Sequence, residues 1–140
     1  MFKEYYKRRF QEIFGFSLQP SDGLGNNFVQ AKLAESALTL PKALIDYYAI
    51  AGQHCINKEH NQLLPIEEIG WIDNKLVFME EYQSVVFCGI DQADVSKLNP
   101  IVWQGIKSNS IDWYEENYKL NQFLMAMWKW TVTGEQEEPE

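Results

Sequence analysis

No stretch of this sequence approaches the roughly 20 consecutive apolar residues of a membrane-spanning helix. Its opening residues, MFKEYYKRRFQEIF, are charged from Lys3 onward and lack the apolar core of an export signal. The expectation is a cytoplasmic protein. Cysteine is scarce: Cys55 and Cys88 are the only two, and without an export signal both are expected as reduced thiols. Base is in deficit as well, with 12 Lys and Arg against 20 Asp and Glu, a formal charge of -8 and a pI of about 4.8. Such a field repels phosphate backbones and anionic lipid headgroups, which argues against nucleic acid and membrane as partners, and it speeds encounter with a basic protein. The one dense basic spot, Lys7 to Arg9, reads as a solvated helix face.

Catalytic signatures are missing too. There is no GxSxG and no HExxH, and Gly23-Leu24-Gly25 lacks both the preceding strand and the third glycine of a dinucleotide fingerprint, so it reads as a turn. The only two histidines lie with Cys55 in AGQHCINKEHNQLLP, Ala51 to Pro65. His54, Cys55 and His60 supply three metal ligands at most, where a structural zinc needs four. The adjacent His54 and Cys55 diverge on any regular element, so this stretch is read as a polar connection, and no metal or cofactor is expected. Cys88, in VVFCGI, reads as a small buried hydrophobe with a raised pKa.

What is present is apolar pattern and aromatic bulk. The 140 residues are 46% hydrophobic and 14% aromatic, with five Trp, enough for one core and one domain. Phe2, Tyr6, Phe10 and Ile13 recur at helical spacing before Gly15. After a turn-rich loop, Leu18 to Asn27, a second helix follows with Phe28, Leu33, Ala34 and Leu38 on one face. A third, from Leu40, opens on Pro41 and closes on Gly52.

The character then changes. Lys75 to Glu80 and Val85 to Ile90 are strand-like runs joined by a turn around Tyr82, Gln83 and Ser84. PIVWQGI from Pro100 is a further strand, SIDWYEEN a short one, and a closing helix carries Leu120, Phe123, Leu124, Met127 and Thr131, with Asn117 as its expected N-cap. Helices, then consecutive strands, then a helix define an α+β domain over residues 1–134, with residues 135–140 an acidic disordered tail.

Adjacent carboxylates such as Glu67-Glu68 and Glu80-Glu81 point to opposite faces of a strand, so each pair gives one group to any cleft; a wet edge or a negative docking patch suits them better than acid/base catalysis. Trp128 and Trp130 cannot face the same side of one helix, so at least one of the late tryptophans is expected to be partly exposed, as contact tryptophans are.

The spaced series LPKALIDYYAIAG, LLPIEEI, KLVFMEEYQSVVFCGI, NPIVW and LNQFLMAMWKW, running from about Ala31 to about Trp130, resembles the SUKH superfamily, which takes in fungal cell-wall assembly regulators of the Smi/Knr type, the Syd protein and many bacterial immunity proteins. The chain departs from that pattern at Ala51-Gly52, where Asn-Gly is frequent, and at Cys88, where a bulky aromatic is. The resemblance implies a bent, mainly antiparallel sheet flanked by helices, no enzymatic activity, and binding to a toxin, often a nuclease or deaminase. An intracellular regulatory adaptor is the alternative. The expected docking residues are Glu80, Glu81 and Tyr82 at the hairpin turn, with Trp103, Trp113, Glu115 and Glu116, against a basic toxin domain.

Overall fold

Apolar residues at helical spacing put Tyr6 and Phe10 on one face of α1 (Lys3–Phe14), which ends as Gly15 turns left-handed at φ 84°. In the computed structural model, which describes residues 1–59, 61–81 and 85–136, α1 is followed by α2 (Asn26–Ser36), α3 (Lys42–Ala51) and, after the strands, α4 (Leu120–Thr133). Pro41 stands just outside α3, extended at φ -59° and ψ 145°, rather than inside its first turn. The expected hairpin turn at Tyr82, Gln83 and Ser84, His60, and residues 137–140 of the expected tail lie outside the described residues.

The strands are β1 (Asn61–Leu63), β2 (Gly70–Ile72), β3 (Lys75–Glu81), β4 (Val86–Asp91), β5 (Ile101–Lys107) and β6 (Ile111–Lys119). All pairings are antiparallel in the order β1-β3-β4-β5-β6, and β2 shares the outer edge of β3 with β1. The architecture is thus α+β, a single sheet flanked by helices. Register shifts between Val77 and Met79 and between Ile101 and Trp103 bend the strands there. The first shift also turns both Phe78 and Met79 to the core.

That core joins Tyr6, Phe10, Leu44, Tyr47 and Trp128 of the helices to Leu76, Phe78, Met79, Cys88, Ile90 and Val102 of the sheet. Two expectations change. SIDWYEEN is no short strand but most of the nine-residue β6, which runs to Lys119. Asn117 therefore lies inside a strand and caps nothing; the opening N–H groups of α4 are met instead by the Pro100 carbonyl, 2.8 Å from Leu120 N, and by Asn99 Oδ1, 3.0 Å from Asn121 N.

One carboxylate is sealed beneath α1. Burial would raise the pKa of Asp46, but the Phe2 N–H, 2.9 Å from Oδ2, and the Lys42 ammonium, 3.0 Å from Oδ1, outweigh it and leave the group below the usual carboxylate range. A folded-state pKa below the unfolded one gives stability that is present above about pH 4 and is lost as pH falls through the folded value. Asp46→Asn is expected to cost about 2 kcal/mol at pH 7. In urea melts, the gap between wild type and variant should shrink as pH falls through the lowered folded-state value of Asp46; a gap independent of pH would exclude this linkage.

Candidate docking surface

Strand alternation sorts the residues opposite the core onto a second sheet face, which carries no helix among the described residues. Paired across the strands there are Val77, Gly89, Trp103 and Glu115 in one row, and Glu80, Phe87, Gly105 and Trp113 in the next. The glycines make room. A Cβ on Gly105 would lie 2.8 Å from the Trp113 ring and one on Gly89 3.2 Å from Lys75 Cβ, so these two long side chains lie flat across the sheet.

Lys75 organises the aromatic part. It is 5% exposed, its ammonium is 4.5 Å from the centre of the Trp103 ring and 5.7 Å from that of Trp113, and it bonds Asp91 at 3.0 Å and Asn74 at 2.8 Å. The Lys75 ammonium in turn holds the Asp91 carboxyl below its usual range. The Trp113 indole N–H donates to Asp73 at 2.8 Å, whereas the buried Trp103 Nε1 meets no acceptor among the described residues, so only packing and the cation hold that ring. Trp103 and Glu115 also line a surface cavity of about 420 Å³ with Asp94, Lys97, Asn99 and Lys119.

The expected docking residues do not form one patch. Glu80, Trp103, Trp113 and Glu115 share the helix-free face, while Glu81 and Glu116 lie on the core side and line a groove of about 460 Å³ with Gln104, Met127 and Trp130. Partial burial there raises the Glu116 pKa. Burial, reinforced by Glu116 and Glu81, pushes the Cys88 thiol up to about 12, so it is no nucleophile near neutral pH. Tyr82 lies outside the described residues. Sequence reasoning missed Lys75, whose burial in a strand has no local signal, and the two glycines.

The histidine stretch is structural where it is described. His54 Nδ1 accepts the Ile56 N–H at 3.1 Å, capping a short 3-10 turn (Cys55–Lys58), and its ring stands edge-on to Phe10 and Phe14. Cys55 is exposed. Among the described residues no group of three His, Cys, Asp or Glu side chains is placed to hold a metal ion, and no helix is long and apolar enough to cross a membrane. No family model, curated protein or solved structure matches the chain.

Proposed function

We propose that this chain is a protein-binding module without catalytic activity of its own, an immunity-type protein that docks on a basic toxin domain and masks it. The observation that carries this reading is the helix-free sheet face, where two partly buried indoles, Trp103 and Trp113, share a surface with Glu80 and Glu115. Large rings with one wet side and an acidic rim are the composition of a contact surface. The net charge of -8 would draw in a basic partner from a distance. The resemblance to SUKH proteins lends the toxin, of nuclease or deaminase type, as the partner class.

The test is co-expression with the product of the adjacent gene, followed by binding of the two purified proteins. Immunity requires that co-expression abolish that product's toxicity and that the two form a stoichiometric complex. Replacing Glu80, Glu81, Glu115 and Glu116 together by Gln should lower the association rate at low salt about tenfold or more and flatten its dependence on ionic strength. Toxicity unrelieved by co-expression would point to the regulatory adaptor instead, and an unchanged association rate would remove the electrostatic component.

A further inference from the structure

Among the described residues the sheet is open along β6, the last strand in its order. Lys107 of β5 donates its N–H to the Val85 carbonyl at 2.8 Å, so Lys107, Gly105 and Trp103 turn their peptide groups toward β4. By alternation Ile106 and Gln104 turn theirs toward Asp112 and Tyr114 of β6. The other β6 residues in this register, Ile111, Trp113 and Glu115, therefore present their N–H and C=O groups outward, and no described residue hydrogen-bonds them. No residue of this nine-residue strand is buried.

We infer that the outer edge of β6 takes up an extended segment of the protein partner by strand addition, the segment alternating basic with apolar side chains. This rests on the reading of the chain as a protein-binding module and names where and how the partner is held. The side chains of β6 set the alternation. On the core side of the sheet the incoming strand meets Asp112, Tyr114 and Glu116; on the helix-free side it meets Ile111 and Trp113, with Glu115 at one end. Lysine or arginine suits the first row and a branched apolar residue the second. Three acids against one base make β6 net negative, so a second copy of this chain would set like charges against one another. The edge also continues directly into the face that carries Trp103 and Trp113.

The probe is a short, end-blocked peptide of alternating lysine and valine, followed by amide hydrogen exchange. At saturation, exchange at Ile111, Trp113 and Glu115 should slow at least about tenfold, while Asp112 and Tyr114, already paired, change little. N-methylation of every second peptide residue should abolish binding in one register and spare it in the other, because only one set of amides faces β6. A glutamate-valine peptide should bind at least about tenfold more weakly. Glu115→Pro removes one outward N–H at a position where an edge strand tolerates proline; it should bind more weakly than Glu115→Gln, with circular dichroism unchanged in both.

Equal affinity of the two N-methylated series would overturn strand addition. So would protection confined to other amides, or concentration-dependent protection of the same amides without peptide, which would assign the edge to a second copy. If the adjacent gene's product binds Glu115→Pro as tightly as wild type, the edge assignment falls and the docking function stands. If that product binds neither protein, the functional reading falls, and the peptide's exchange pattern still decides the edge.

Discussion

Trp128→Ala is expected to destabilise the fold by about 4 kcal/mol and to lower its melting temperature by roughly 10 to 15 °C. The indole is 2% exposed, with ring centres 5.1 Å from Phe10, 5.6 Å from Tyr47 and 5.7 Å from Phe14, so its loss opens a cavity where α1, α3 and α4 meet. It also ends a buried polar chain. Trp128 Nε1 donates to the Tyr47 hydroxyl at 2.9 Å, that hydroxyl donates to Asn57 Oδ1, and Asn57 Nδ2 donates to the Ala51 carbonyl at 2.7 Å. Trp128→Phe keeps most of the packing and leaves Tyr47 bonded to Asn57, so it should cost only about 1 to 2 kcal/mol. Asn57→Ala strands the Tyr47 donor and the Ala51 acceptor together and should cost about 2 to 4 kcal/mol. Chemical denaturation of the three variants checks the order; Trp128→Phe proving as damaging as Trp128→Ala would mean that the hydrogen bond, not the cavity, dominates.

That chain shows where sequence pattern stops. Helical periodicity alone locates Tyr6, Phe10, Tyr47 and Phe123 in the core, because a face that buries apolar groups must repeat with the helix. Asn57 has no such signature: a polar residue in a polar stretch reads as solvent-facing, and only the fold reveals that it plugs the end of α3. The stretch that invites a metal or catalytic reading does structural work through Asn57 and His54.

The β-region was legible where a strand carries a continuous apolar run. Lys75 to Glu80 and Val85 to Ile90 stand out through the apolar runs LVFM and VVFCGI, because the core covers one face and long side chains lie over the other. The three-residue β1 and β2 are too short to show a period, and β6 mixes Trp, Tyr and acids on both faces because an edge strand is half in solvent. The docking residues follow the same logic. Alternation places Glu80 and Glu115 on one face and Glu81 and Glu116 on the other, so each adjacent pair could give only one member to a patch. The insertion near Phe78 that brings Phe78 and Met79 to one side has no counterpart in the apolar pattern.

Gly23→Ala is expected to be the most damaging single-methyl change outside the core, costing about 3 to 4 kcal/mol. Its backbone angles, φ -108° and ψ 159°, suit any residue, so conformational freedom is not the reason for glycine. Space is. A Cβ there would lie 2.1 Å from the Ala49 carbonyl oxygen and 2.6 Å from Ile50 Cα, both backbone atoms that cannot swing aside. The close approach has a purpose: Gly25 N donates to the Ala49 carbonyl at 2.9 Å, an acceptor that the last turn of α3 leaves open, and Leu24 N gives the Tyr48 carbonyl, which already accepts Gly52 N, a second donor at 3.1 Å. Gln53 N closes the other side onto the Asp22 carbonyl at 2.8 Å. A methyl at Gly23 must lift the loop, break the Leu24 and Gly25 bonds and leave the Ala49 carbonyl without a donor. Gly25→Ala is the comparison: its Cβ would meet nothing within 4 Å, but its φ of 84° strains any side chain, at a cost of about 1 to 2 kcal/mol. Amide exchange of Leu24 and Gly25 should accelerate far more in Gly23→Ala than any loss of global stability explains, because the loop detaches before the core opens. A Gly23→Ala protein melting within two or three degrees of wild type, with those amides still protected, would show that the end of α3 does not need this loop.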